Sequence, residues 1–112
     1  MMPSTKIVVA DQLPDSDIQK KKIQAYVESY RKKFHREPGT MVAYGADAAF
    51  IVVDAIKRVG PDRSKIRDAI ENTRGYVGIS GIYNISPKDH NGLSMKDIVM
   101  VKATKGGWKL MD

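Results

Sequence analysis

Two histidines, His35 and His90, are the side chains best placed to move a proton near neutral pH, and the sequence offers neither of them a partner set. Asp89 adjoins His90, but no serine stands in a Gly-x-Ser-x-Gly elbow. The chain has no cysteine, so a thiolate nucleophile, a disulfide and a cysteine zinc site are all excluded. Both histidines therefore read as solvated or locally hydrogen-bonded groups. No His-Glu-x-x-His is present, and Asp11, Asp15 and Asp17 only partly resemble a calcium loop, which Pro14 and the missing closing glutamate argue against. Gly75, Gly78 and Gly81 are spaced three apart but precede a strand pattern, not a helix start, so they do not form a dinucleotide fingerprint. Strand bends or close backbone approaches account for them.

The stretch Met41-Val-Ala-Tyr-Gly-Ala-Asp47 is the one that suggests a small-molecule site. A helix begins there, and the free amides of a helix start can hold a carboxylate while an aromatic ring covers an apolar ligand body. Tyr44, Gly45, Ala46 and Asp47 are the candidate binding residues. On the residues alone the blander alternative is favoured: Tyr44 packs, and Asp47 complements the helix dipole. Lys20-Lys-Lys22 and Arg31-Lys-Lys33, interleaved with Tyr26, Tyr30 and Phe34, could form a nucleic-acid platform. The aromatics share a helical face with Ile23 and Val27, however, so they read as core and the lysines as its solvated back.

The elements that must position these residues belong to one small chain. It has 112 residues, 42% hydrophobic, with 19 Lys+Arg against 13 Asp+Glu for a formal net charge of +6. That is too apolar for disorder and too short for a second domain. The excess charge is spread along the chain, whereas nucleic-acid binders more often concentrate it in a stripe. The first residues lack the apolar run of a secretion signal, and the apolar stretch Met41 to Ile56 holds Asp47 and Asp54, so it reads as a buried helix.

Lys6–Ala10 is a β-branched run that predicts a strand. After the turn Asp11–Asp17, Asp15 or Ser16 is placed to cap a helix whose inner face is Ile23, Tyr26, Val27, Tyr30 and Phe34, stopped by Pro38-Gly39. A second helix is expected over about Ala43–Val59, with Ala48, Ala49, Val52, Val53 and Ile56 on one face, widened by Phe50 and Ile51. Asp62 should cap a third, with Ile66, Ala69 and Ile70 inside. Tyr76–Ile85 reads as a strand, Ser86–Ser94 as a loop, and Asp97–Thr104 with Trp108–Met111 as a hairpin turning at Lys105–Gly107. Three helices, one apolar almost all round, need more covering surface than these few strands offer. The imbalance suits a piece of a larger α/β protein or a subunit that completes its core by dimerising.

The order of motifs carries a resemblance. Leu13-Pro-Asp-Ser-Asp17 is followed by Tyr26-x-x-x-Tyr30 with Phe34, then Pro38. Ala46-Asp47-Ala48 opens a long helix closing in Ala55-Ile-Lys-Arg-Val-Gly60, and an Ile-Arg-x-Ala-Ile helix follows at Ile66 to Ile70. Gly78-Ile-Ser-Gly81-Ile-Tyr-Asn-Ile-Ser-Pro-Lys-Asp-His-Asn-Gly92 and Val101-Lys-x-x-x-Gly-Gly-Trp108 complete the series. Together they resemble the later part of the periplasmic branched-chain amino-acid binding proteins, the type I solute-binding components of ABC transporters.

The resemblance implies an α/β fold of three helices, a few short strands and a carboxy-terminal β-hairpin, as a fragment of a bilobed type I periplasmic-binding-protein fold. Residues 1–112 would form a single partial domain, the carboxy-terminal third of a receptor, with lobe crossovers near Leu13-Pro14 and Ile85–Pro87. It implies a non-catalytic receptor part without cofactor or metal. Its ligand in the full-length protein would be a branched-chain amino acid or similar small carboxylate, and its partner an ABC permease. The family works in the periplasm or outside the cell; the chain itself, without a signal at its start, has no compartment assigned. The family tyrosine at the start of the long helix is Ala46 here, so that contact is lost or displaced to Tyr44, leaving room for a bulkier ligand. Most ligand contacts would come from elsewhere in the receptor. The isolated chain is thus expected to be incompetent for ligand and to form a homo-oligomer. Two other readings are a small dimerising α/β adaptor and a basic nucleic-acid-binding module; nucleic acid is not expected as a partner.

Overall fold

The computed structural model describes residues 1–111. A short strand β1 (Met2–Ser4) leads into a 3₁₀ helix, Lys6–Gln12, and then α1 (Lys20–Phe34), α2 (Thr40–Val59) and α3 (Arg63–Glu71). The two-residue strands β2 (Tyr76–Val77) and β3 (Ile82–Tyr83) follow, then a 3₁₀ turn at Met95–Asp97 and the hairpin β4 (Val99–Thr104) and β5 (Gly107–Met111). The helix ends have local causes. His35 closes α1 in the left-handed conformation, with φ of 54°, and Gly60 closes α2 with φ of 81°. Asp62 caps α3 as its side chain accepts from the Lys65 amide at 3.0 Å.

The larger sheet is antiparallel, in the order β1-β4-β5, with Val101 of β4 paired to Met2 and Leu110 and fully buried. The outer edge of β5 is closed by one side chain. Gln12 Nε2 donates to the Trp108 carbonyl and its Oε1 accepts from the Leu110 amide, both at 2.8 Å. The amide thus stands in for the missing neighbouring strand. Two apolar clusters form the core. One joins Ile7, Ala10, Leu13, Ile23, Val27, Ala43 and Ile79; the other joins Ile51, Tyr83 and Ile85, flanked by Ile70, Tyr76 and Leu93. The molecule is elongated, 49 × 32 × 23 Å, with a radius of gyration of 15.2 Å, against about 13 Å for a compact chain of this length.

Four expectations are corrected. The β-branched run Lys6–Ala10 forms a 3₁₀ helix, not a strand. Burial of Ile7, Val9 and Ala10 was the real signal, and packing against α1 satisfies it without a ladder. Neither Asp15 nor Ser16 caps α1, which begins four residues after Ser16; Asp17 instead accepts from the Gln19 amide at 2.9 Å while also holding Lys6 at 2.7 Å. Tyr76–Ile85 is not one strand. It reverses at Gly78–Gly81, where the Gly78 amide donates to the Gly81 carbonyl at 2.8 Å, and β2 pairs back on β3. Finally, α2 starts at Thr40 and buries Ala43, Asp47, Ile51 and Ala55, while Ala48, Ala49, Val52, Val53 and Ile56 are exposed. The expected inner face is the open one because helix α3 and the β2–β3 segment occupy the other side. On α1, Ile23 and Val27 are buried, whereas Phe34 is exposed and leans on Tyr30 with ring centres 4.6 Å apart.

Candidate functional site

Asp47 lies on the buried stripe of α2, one helical turn after Ala43, and has no solvent exposure. Its Oδ1 accepts from the Ile79 amide and its Oδ2 from the Ser80 amide, each at 2.7 Å. The Ser80 hydroxyl donates to the same Oδ2 and meets the Tyr83 hydroxyl at 2.7 Å. Charge-assisted bonds of this kind are the strong ones, and they compensate the cost of burying a carboxylate. The approach demands glycine: a Cβ on Gly78 would stand 2.7 Å from Asp47 Oδ2. Burial pushes the Tyr83 phenol up to about 12; the bond to Ser80 opposes this and the charge of Asp47 adds to it.

The same turn is gripped from two other directions. Gln19, fully buried, donates from Nε2 to the Gly78 carbonyl at 3.0 Å, and its Oε1 accepts from Lys6 Nζ at 2.9 Å. Burial pushes the Asp17 carboxyl up, but Lys6 and the Gln19 amide outweigh it and hold the group below the usual carboxylate range. From the far side, Asp97 accepts from the Ile82 amide at 2.8 Å and from the Ser94 amide at 2.7 Å, closing a capping box with Ser94. A Cβ on Gly81 would stand 2.6 Å from Leu93 Cδ2 and 2.9 Å from Asp97 Cβ. Among the described residues no buried side-chain nitrogen or oxygen lacks a partner.

Of the four candidate binding residues, Tyr44 and Gly45 are exposed, Ala46 is half-buried against the first apolar cluster, and Asp47 is wholly inside. Tyr44 borders an open cleft of about 250 Å³ together with Ala48, Ile51, Tyr83, Ile85 and His90. The cleft is mostly apolar, with two phenol groups at its border, which suits a small ligand with an apolar body. Asp89 and His90 do not pair in it. Asp89 spends its Oδ1 on the amides of Asn91 and Gly92, while His90 Nε2 turns to Glu71 Oε1 at 2.9 Å. Among the described residues no three His, Asp or Glu side chains cluster as metal ligands, and no helix is long and apolar enough to cross a membrane.

A family model described as periplasmic binding protein matches residues 5–107, nearly the whole chain. The chain belongs to the periplasmic binding protein family. Two extracellular ligand-binding receptors from Rhodopseudomonas palustris superpose on it with a TM-score of 0.84; at 21% and 18% identity they show the fold. Each is matched over 99% of this chain but only 33% and 34% of its own length. A leucine-binding protein, LivK, from Thermotoga maritima is 37% identical over 80% of this chain and 25% of its own, with a TM-score of 0.63. No curated protein matches the chain. This periplasmic binding protein segment thus spans about a third of the receptors it resembles, in the mixed α/β architecture expected from its motifs. Members of this family are non-catalytic ligand-binding receptors.

Gln19, Ser80 and Asp97, which hold the Gly78–Gly81 turn, were not singled out from the sequence. Two signals could have found part of the set. Ser94-x-x-Asp97 has the spacing of a capping box, and Gly78 and Gly81, read above as close backbone approaches, are where Asp47 and Asp97 arrive.

Proposed function

We propose that this segment supplies one wall of a receptor cleft that closes over a branched-chain amino acid or similar small carboxylate for ABC-type import. The observation that carries the reading is the family match along residues 5–107; the likeness to a leucine-binding protein supports the ligand class. In the whole receptor the segment is the carboxy-terminal third, crossing between lobes near Leu13-Pro14 and again near Ile85–Pro87. Ligand contacts on both lobes favour the shut form, and a permease reads that form.

In this reading Tyr44 supplies the aromatic contact on the cleft side of α2, whereas Ala46 turns to the first apolar cluster and, with α2 starting at Thr40, the amides of Gly45 and Ala46 lie inside the helix and are not free for a carboxylate. Asp47 acts from beneath, fixing the Gly78–Gly81 turn and with it Tyr83 at the cleft border. The isolated chain does not hold the ligand, because the opposing lobe contributes most contacts. Its open α2 face, with Val52, Val53 and Ile56 each at least 40% exposed, drives self-association instead.

Grafting the chain in place of the matching segment of the Thermotoga receptor tests this. A folded chimera should bind leucine or a bulkier apolar amino acid by calorimetry, and Tyr44→Ala in it should weaken binding by roughly 10-fold, the loss of one packed aromatic contact. A folded chimera that binds no amino acid, or binds equally well with Tyr44→Ala, sinks the assignment.

A further inference from the structure

Four cationic side chains that play no part in the cleft converge elsewhere. Lys22 of α1, Lys57 and Arg58 of α2 and Arg74 after α3 line two adjoining hollows of about 470 and 280 Å³, which share Lys22, Asp54 and Tyr76. One groove therefore runs between α1, α2 and β2. Asp54 is the one acid along it, and Arg58 Nε holds that carboxylate at 3.0 Å. The lining balance is four cations less one anion, +3.

Lys22 and Arg74 are held in place by carbonyls without being neutralised, while Arg58 is paired with Asp54. Arg74 Nη1 donates to the carbonyls of Thr73 and Glu71 at 3.0 and 3.3 Å. Lys22 Nζ donates to the Val77 carbonyl at 2.5 Å and lies 4.5 Å from the centre of the Tyr76 ring. Arg58 also reaches the Ala69 carbonyl at 3.4 Å. Lys57 has no ion-pair partner among the described residues. Carbonyls orient a cation but leave its charge for another anion. The floor is apolar, with Phe50 at 41% and Val53 at 46% exposure beside the Tyr76 ring.

We propose that this groove docks an acidic segment of a partner protein, with carboxylates flanking a central apolar side chain. The carboxylates pair with Lys57, Lys22 and Arg74, and the apolar side chain rests on Phe50, Val53 and Tyr76. An apolar floor between fixed cations matches a peptide better than a phosphate polymer, which would need a continuous basic stripe. The groove shares Val53 with the open face of α2, so a bound peptide competes with self-association there.

The test is an amide-resolved NMR titration of the chain with a short peptide of glutamates around one phenylalanine. The expected shifts centre on Lys22, Val53, Lys57 and Gly75, and binding weakens as salt rises. Lys57→Glu alone should weaken the peptide by roughly 3- to 10-fold, and Lys105→Gln in the distant hairpin turn should leave it unchanged. Lys57 is exposed, so its replacement keeps the fold and isolates the charge. Four results overturn the proposal: no shifts; shifts confined to the outer face of α1 at Lys32 and Lys33; equal affinity for Lys57→Glu; or tighter binding of an oligonucleotide at the same residues.

Discussion

Replacing Asp47 by asparagine removes a charge while nearly conserving shape, so it isolates the carboxylate. In the native protein Oδ1 receives one amide at 2.7 Å and Oδ2 receives an amide at 2.7 Å and the Ser80 hydroxyl at 2.5 Å. Asparagine keeps one acceptor oxygen. Whichever way its amide is turned, an NH₂ group faces at least one donor in a space closed to water. The oxygen settles towards Ser80, where two donors meet, so the Ile79 bond is lost and its amide faces the NH₂ group. Hydrogen bonds to a charged group contribute about 1.5–3 kcal/mol each. The lost bond, the unpaired Ile79 amide and the weakening of the two remaining bonds from charged to neutral cost about 4 kcal/mol, and relief from burying a charge cuts this to about 3 kcal/mol. At roughly 4 °C per kcal/mol for a chain of this size, the melting temperature should fall by about 10–15 °C. Thermal and urea melts followed by far-ultraviolet circular dichroism measure the cost, and hydrogen exchange at Ile79 and Ser80 shows where it falls. A loss under about 1 kcal/mol, with those two amides still protected, would refute the claim that Asp47 anchors the turn.

Gly78→Ala should destabilise the chain by about 1–3 kcal/mol, because its methyl group would sit 2.7 Å from one oxygen of a carboxylate that three bonds hold in place; a melt within experimental error of the parent would contradict this. Acidification should unfold the chain through Asp17 and Asp97. Burial pushes both carboxyls up, but Lys6 with the Gln19 amide, and the Ile82 amide with Ser94, bring them below 3.8. A depressed folded value means that this stability is complete above pH 3.8 and is lost as pH falls through the folded values. Asp97→Asn should therefore flatten the acid limb of a stability-against-pH curve, and an unchanged limb would remove Asp97 from the account. Val53→Glu on the open face of α2 should shift sedimentation from oligomer to monomer; a parent chain that is monomeric at all concentrations would end the self-association argument.

Helix boundaries were legible where a single residue fixes them. Gly60-Pro61 and Asp62 each act through their own backbone or side chain, and the structure places helix ends beside both, whereas α1 ends at His35, three residues before Pro38, and Gly39 instead precedes α2. The hairpin of β4 and β5 was legible for the same reason, since Gly106-Gly107 turns the chain locally. Inward faces were not legible on α2. Its apolar residues run almost all round, so periodicity offers no preferred side, and the buried stripe contains a charged residue that pattern reading assigns to solvent. Ile7 and Val9 showed that burial can be read from β-branched residues while the backbone conformation cannot. The Tyr76–Ile85 reversal escaped because the residues that enforce it, Asp47 and Asp97, lie 32 and 15 positions from the amides they bind.

Those distant bonds join two cores that apolar packing alone leaves separate. Ile79 belongs to the cluster around α1 and the first 3₁₀ helix, while Tyr83 and Ile85 belong to the cluster under α2 and α3. The Gly78–Gly81 turn is the short stretch between them, and side chains from α1, α2 and the Ser94–Asp97 box each hold it. Apolar contact is non-directional and would permit the clusters to slide. Fixed carboxylates aimed at individual amides do not permit it. The turn thus sets the spacing of the clusters, and Tyr83 takes its position at the cleft through Ser80 and Asp47. Ser80→Ala separates this geometry from simple stability. It deletes the hydroxyl bridge yet leaves both Asp47–amide bonds, so the backbone amides at positions 79 and 80 should stay protected while the Tyr83 ring gains motion. Loss of both together would mean that the hydroxyl bridge, and not the two Asp47–amide bonds, holds the turn.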